Sequence, residues 1–154
     1  MTSCIISTPF CKLEIHCRDD KITAVSFITS APVSKKISHP LLRRAAQQMQ
    51  AYCASRRSFD LPLAVQGTDF QRRVWAELAN IPCGQVRTYG DIARQLSTSP
   101  RAVGNACRKN PIVVIVPCHR VVSQTGLGGF SGATEGEYLH IKHHLLNHEG
   151  VEFH

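Results

Sequence analysis

A chain of 154 residues with 43% hydrophobic content has the material for one sizeable domain or two small ones, which excludes an intrinsically disordered protein. Lys and Arg number 18 against 11 Asp and Glu, a formal net charge of +7 that points to a polyanionic partner, nucleic acid first and an acidic membrane surface second. No run approaches the ~20 apolar residues of a membrane span. The opening MTSCIISTPF lacks the basic start and apolar stretch of a secretory signal, so the seven cysteines are expected as free thiols in a reducing, cytoplasmic setting.

In chain order, CKLEIHC alternates Leu13 and Ile15 against Lys12, Glu14 and His16, and with KITAVSFI after the RDD turn it predicts a hairpin over about 11–28. SAPVSKKISHP reads as a polar loop. PLLRRAAQQMQAYCAS (40–55) carries Leu41, Leu42, Ala45, Met49, Tyr52 and Cys53 at helical spacing, and 58–68 reads as a link. TDFQRRVWAELANI then places Phe70, Val74, Trp75, Leu78 and Ile81 on one stripe behind an N-cap at Thr68 or Asp69. PCGQVRTYG breaks that helix. TYGDIARQLS predicts a second, capped by Thr88 with Ile92 and Leu96 inward. TSPRAVGNACRKN predicts a third, with Ser99 as cap and Pro100 in its first turn. VIVPCHRVV (114–122) opens as an apolar, β-branched run, which predicts a short buried strand stopped by Pro117. A glycine-rich loop, SQTGLGGFSGA, leads to a last helix in EGEYLHIKHHLLNHEG, ended by Gly150. The expectation is an α+β protein: an N-terminal α/β unit over 1–66 and a helical unit over 67–154.

Residues 67–130 hold eight Lys and Arg against three Asp and Glu. Three short helices and a hairpin-like loop in such a segment have the pattern of a winged helix-turn-helix. In the third helix Ala102, Gly104, Asn105 and Ala106 are small, and Gly104 alone costs about 1 kcal/mol relative to Ala. Arg101, Asn105 and Arg108 share a face, whereas Val103 and Cys107 turn to the core. Two readings stay open on spacing alone: a helix pressed onto nucleic acid with Arg101 reaching in, or close helix packing with solvated arginines.

Cys118 and His119 carry the chemistry. The thiolate is the nucleophile, and a thiol of pKa about 8.5 needs a base to form it. An imidazole can take the proton directly or through a water, with an acid behind it to hold its tautomer. On an extended strand neighbouring side chains point to opposite faces, so the pair cooperates only if Pro117 bends the chain. The bland alternative is a buried thiol beside an unrelated surface histidine. Cys4, Cys11, His16 and Cys17 have ligand-type side chains but irregular spacing. His140, His144 and His148 share a helical face that reads as solvated. No metal and no cofactor are expected, and Cys83 and Cys107 read as structural.

VPCHRVV, preceded by PRAVGNACRKNP and followed by GGFSG and KHHLLNHEG, resembles the O6-alkylguanine-DNA alkyltransferases, with FQRRVW and IPCGQVRTYGDIA matching upstream. The resemblance covers about 67–150 and extends loosely to STPFCKLEI, similar to the family's first strand. It implies a ribonuclease-H-like N-terminal unit, a winged-helix second unit and a monomer acting on double-stranded DNA that contains alkylated guanine. Cys118 would accept the alkyl group. His119, a bridging water and Glu149 would form the thiolate, and Asn110 would hold the turn before the active-site segment. Tyr89 would assist rotation of the nucleotide and supply a proton to the leaving guanine. Arg101 would fill the gap in the duplex, with Ala102, Gly104, Asn105 and Arg108 on the same DNA-facing helix. Val121, Phe130, Ser131, Gly132 and Lys142 would shape the pocket. The segment between Ser131 and Lys142 is longer than is common in the family, and Phe130 and Ala133 stand where tyrosine and glycine are usual. Two further classes stay open: a winged-helix regulator or lesion sensor that transfers nothing, and a cysteine hydrolase, which would need an oxyanion hole that no motif supplies.

Overall fold

The computed structural model describes residues 2–124 and 137–151, with 137 and 138 as backbone only. It is a mixed helix and sheet structure that separates into two compact units. The first comprises residues 1–66 together with Pro111–Val113, the second 67–110 and 114–154.

The first unit is built on three antiparallel strands in the order β1 (Thr2–Ser7), β2 (Lys12–Arg18) and β3 (Lys21–Ile28). The predicted hairpin is therefore two strands of a three-stranded meander, to which TSCIIS adds β1 as an edge strand. Arg18 pairs with Lys21, and Asp19 and Asp20 between them take φ of 51° and 60°, the left-handed pair that a two-residue hairpin turn requires. Cys4 and Ile6 in β1 and Leu13, Ile15 and Cys17 in β2 are buried with a period of two, whereas the buried Ile22 and Val25 of β3 are three apart, because the β2–β3 register shifts between His16 and Cys17. Helix α1 (Pro40–Ser55) packs on that sheet through Leu41, Leu42, Ala45, Ala46, Met49 and Tyr52. Cys53 is half-buried. Pro111–Val113 adds to β3 through Val25 N–H to Pro111 C=O at 2.9 Å and Val113 N–H to Val25 C=O at 3.2 Å.

The second unit starts with α2 (Asp69–Ala79), whose N-cap is Thr68 in a capping box closed by Gln71. Strand β4 (Arg87–Thr88) leads into α3 (Tyr89–Leu96), where Thr88 and Asp91 form a second capping box. Ser99 caps α4 (Pro100–Arg108), with Pro100 in its first turn. The core between these helices holds Val74, Trp75, Leu78, Ile92, Ala93, Val103, Ala106 and Cys107; Leu96, expected inward, is only half-buried. Trp75 crosses from α2 to α4, its indole N–H donating to Ala106 C=O at 2.9 Å. Strand β5 (Val121–Val122) pairs parallel with β4. Helix α5 (Glu137–His148) buries Ile141, Leu145 and Leu146 and ends in a Schellman turn: Val151 N–H bonds Leu146 C=O, Gly150 N–H bonds Asn147 C=O, and Gly150 has φ of 85°. Among the described residues no helix is long and apolar enough to cross a membrane. The wing expected on the glycine-rich loop falls outside the described residues.

The buried strand predicted over 114–116 is absent. After Ile112 bridges Val25, residues 113–116 form turns, and Val114 takes φ of 70°, a conformation that costs a β-branched residue on the order of 1–3 kcal/mol. Val116 C=O is taken by the Asn110 side chain at 2.8 Å and by Cys118 N–H at 2.8 Å, so it offers nothing to a neighbouring strand. The β-branched composition is explained by burial alone: Val113, Val114 and Val116 are all buried.

Trp75→Phe is expected to lower stability by about 1–2 kcal/mol, because it removes a buried hydrogen bond and leaves a void between α2 and α4. The urea unfolding midpoint, at unchanged m, checks this.

Candidate active site

Pro117 has φ −84° and ψ 66°, the geometry of an inverse γ-turn closed by the Cys118 N–H to Val116 C=O bond. A single 3-10 turn, Cys118–Arg120, follows, and β5 resumes the extended chain. The bend that the sequence required is thus present, and three consecutive functional side chains leave one turn instead of alternating across a strand. Asn110 stands at the end of α4. Its amide holds Val116 C=O, and its side chain also hydrogen-bonds the Cys118 thiol.

His119 is fully buried and its Nε2 lies 2.7 Å from Glu149 Oε2. Glu149 is the residue that closes α5 before Gly150, an unfavourable place for an anion because the helix dipole there is negative. It is compensated by Arg120, which donates Nε to Oε1 at 2.7 Å and Nη2 to Oε2 at 3.0 Å, a two-pronged clamp on the carboxylate. Arg120 Nη1 reaches back to Ile81 C=O at 2.6 Å. The turn after Ile81 packs on the same spot: Gly84 has φ of 89°, and a Cβ there would lie 3.3 Å from Glu149 C=O. This is the physical use of the IPCGQ segment.

Burial holds the His119 imidazole below its ordinary pKa, against the opposing bond and charge of Glu149, so it is neutral near pH 7. A carboxylate only accepts, so Nε2 carries the proton and Nδ1 is left with its lone pair. Nδ1 is buried and has no hydrogen-bond partner among the described residues. An unpartnered basic nitrogen on the residue next to a thiol is a ready proton acceptor. Burial pushes the Cys118 thiol up; the Asn110 hydrogen bond and the Lys142 charge pull it down. Cys118 therefore rests as a thiol and ionises only when a base removes its proton.

Lys142 is fully buried on α5 and donates to Val121 C=O at 2.8 Å. Its ammonium is 5.9 Å from the centre of the Tyr89 ring. Burial pulls it down to about 8, with Cys118 and Cys107 opposing, so it is still mostly charged at neutral pH. Tyr89 is held well above the usual phenol range by burial and by the sulfurs of Cys107 and Cys118. It keeps its proton, and it lines a cleft of about 330 Å³ with Thr88, Gly90, Asp91, Arg94, Pro100, Ser123 and Gln124.

Of the residues singled out in the sequence, Asn110, Lys142 and Tyr89 lie near enough to Cys118 to interact with its sulfur, His119 follows it with Glu149 behind the imidazole, and Lys142 holds the Val121 carbonyl. On α4, Arg101, Asn105 and Arg108 are exposed and share a face, Ala102 and Gly104 are half-buried, and a Cβ on Gly104 would lie 3.9 Å from the Tyr89 ring. Phe130, Ser131 and Gly132 lie outside the described residues. Sequence reasoning gave Arg120 no role. An acid at the very end of a helix, disfavoured by the dipole, was the signal that a nearby cation had to exist.

His119 has a pH consequence. Its folded pKa lies below the 6.5 of the free side chain, so below about pH 6.5 the unfolded chain binds a proton that folded His119 refuses. Its contribution is present above that pH and is lost as the pH falls toward the folded value, at up to about 1.4 kcal/mol per pH unit. Urea midpoints across this range are expected to slope less in His119→Asn than in the parent.

Residues 69–151 match the family model described as 6-O-methylguanine DNA methyltransferase, DNA binding domain. A methylated-DNA–protein-cysteine methyltransferase from Methanosarcina acetivorans is 46% identical over 112 residues, covering 70% of this chain and 69% of its own. One from Metallosphaera sedula is 36% identical over 144 residues, covering 93% and 89%. The crystal structure of Mycobacterium tuberculosis OGT in complex with DNA superposes with a TM-score of 0.78 at 35% identity, covering 94% of this chain and 90% of that one.

Proposed function

The chain belongs to the 6-O-methylguanine DNA methyltransferase family, and from that premise we propose that it repairs alkylated DNA by moving the alkyl group of O6-alkylguanine onto Cys118. The observation that carries this reading is the series Arg120–Glu149–His119, its acid and imidazole buried, which ends in a bare imidazole nitrogen on the residue beside a buried thiol. Relatives named for DNA methyl transfer and a neighbour solved with DNA support it.

The reaction begins with loss of the thiol proton to His119 Nδ1, directly or through one water, while Glu149 stabilises the imidazolium that forms. The field of Lys142 and the Asn110 bond favour the thiolate. Sulfur attacks the alkyl carbon in line, an S–C bond forms, and the C–O6 bond breaks with its electron pair going to the guanine. Tyr89, which holds its proton at rest, supplies that pair with a proton. The product is a thioether, which water does not reverse, so each molecule acts once and no cofactor is consumed.

The target carbon lies inside a base-paired stack, so the nucleotide must leave it at a cost of a few kcal/mol. Helix α4 suits that step. Its small residues Ala102 and Gly104 permit close approach to a groove, and Arg101 is exposed at its N-terminal end, placed to enter the gap. Asn105 and Arg108 continue the same exposed face toward the backbone. The family resemblance assigns Val121, Phe130, Ser131 and Gly132 to the base pocket. The chain works where the DNA is: in the cytoplasm of a bacterium, at the nucleoid, or in a nucleus.

Incubation with a duplex carrying O6-methylguanine is expected to add one methylene to the peptide containing Cys118, at one per protein. Cys118→Ala is expected to bind the duplex normally and gain nothing. Intact-mass and peptide spectra read both, and a variant that still clears the lesion contradicts the assignment. Arg101→Ala is expected to slow transfer from duplex by about 100-fold or more while leaving reaction with the free base O6-benzylguanine within about twofold, a split of on the order of 3 kcal/mol. Equal losses on the two substrates contradict a role in flipping.

A further inference from the structure

The net charge that first suggested nucleic acid is not concentrated on the helices assigned to it. Residues 67–154 hold nine Lys and Arg against seven Asp and Glu, and residues 1–28 hold three of each. Residues 29–66 hold six Lys and Arg against one acid, Asp60, so +5 of the formal +7 resides in 38 residues of the first unit. All six cations there, Lys35, Lys36, Arg43, Arg44, Arg56 and Arg57, are exposed.

Their arrangement follows α1. Lys35 and Lys36 precede it, and Arg43 Nε and Nη2 bond Ile37 C=O at 3.3 and 3.2 Å, which ties that loop to the first turns. Arg56 is the left-handed C-cap, and Arg57 follows it. The helix has 16 residues, so the two basic ends are separated by about 24 Å. Between them the solvent face carries Gln47, Gln48, Gln50 and Ala54, hydrogen-bonding or neutral groups, and the helix contains no carboxylate. Arg44 alone has an acidic partner, Asp60 at 3.6 Å; among the described residues the other five lie beyond ion-pair distance of any carboxylate.

This distribution is unfavourable for folding by itself. Four cations stand at the N-terminal end of a helix, where the dipole is already positive and an acid is the stabilising choice, yet the first turn contains none. An external polyanion would relieve that repulsion. A membrane surface is the poorer fit, because interfacial helices insert apolar side chains beside their cations. Here the only large hydrophobic side chain exposed among the described residues is Val33. A duplex presents a phosphate on each strand every ~3.4 Å of helix axis, so a face of about 24 Å with cations at both ends spans several of them.

We propose that the solvent face of α1, with Lys35, Lys36, Arg43, Arg56 and Arg57, is a second DNA-backbone contact surface, independent of sequence and lesion. The proposal rests on the reading of the chain as a DNA repair protein, and it adds to the α4 contact a phosphate-binding surface in the other unit.

The test is the salt dependence of binding to an unmodified duplex, for the full chain and for a Lys35→Gln, Lys36→Gln, Arg56→Gln, Arg57→Gln variant. Every phosphate that a cation neutralises steepens the slope of log K against log salt by about 1, so the variant's slope is expected to be shallower by about 2–4. Reaction of Cys118 with free O6-benzylguanine is expected to be unchanged, which shows that the variant is folded. A slope equal to the parent's overturns the proposal. So does an unchanged slope accompanied by weakened binding to vesicles of mixed phosphatidylserine and phosphatidylcholine, which assigns the surface to acidic lipid. The mass of the Cys118 peptide after incubation with lesion-bearing duplex, read on the same samples, decides the repair reading separately from the slope.

Discussion

One carboxylate organises the second unit. Glu149 closes a helix at the end where negative charge is least welcome, and it is buried there. Such a group persists only if other charges and donors satisfy it. Arg120 supplies two bonds and His119 a third, and both belong to the single 3-10 turn that also carries Cys118. The need to satisfy one buried acid therefore fixes the orientation of the imidazole, the path of the active-site turn and the end of α5 together. Replacing the acid would leave the buried imidazole without its acceptor and the half-buried Arg120 with only the Ile81 carbonyl, so the structural and chemical roles of Glu149 are inseparable.

Around that centre the surroundings of Cys118 oppose one another. Burial keeps the sulfur protonated, while Asn110 and Lys142 lower the cost of ionising it. The same burial keeps His119 neutral and ready to accept. A thiol that stays protected until a substrate arrives suits a protein whose one sulfur is used once: stray oxidation or alkylation would waste the molecule. Lys142 connects this electrostatics to the cleft that Tyr89 lines, because the same ammonium holds the Val121 carbonyl and lies over the Tyr89 ring.

What the sequence disclosed divides along physical lines. Helices α1 to α4 were legible because their signals are local: a 3.6-residue stripe, Thr68, Thr88 and Ser99 as caps, and Pro100 in a first turn. Gly150 marked the end of α5 for the same reason. The active-site segment was misread because β-branched residues report burial as readily as pairing. What makes it a loop is the capture of Val116 C=O by Asn110, six residues away, which no propensity encodes. The meeting of His119 with Glu149 spans 30 residues and was reachable only through the family resemblance. Arg120 was in plain view, but its partner became identifiable only when α5 placed an acid at its own negative end. Bulk charge pointed to the right class of partner, yet most of it resides in residues 29–66, on α1 and the segments flanking it, and not on the helices that the motif brought forward.

The central claim is a protonation pattern: at neutral pH His119 carries its proton on Nε2, facing Glu149, and presents a bare Nδ1 as the base for Cys118. Nitrogen-15 NMR of the imidazole reads this directly, since protonated and unprotonated ring nitrogens resonate far apart. The account predicts a pyrrole-type shift for Nε2 and a pyridine-type shift for Nδ1 in the unreacted protein, and loss of that fixed assignment in Glu149→Gln. A proton on Nδ1, or an imidazolium with both nitrogens protonated at neutral pH, would contradict it.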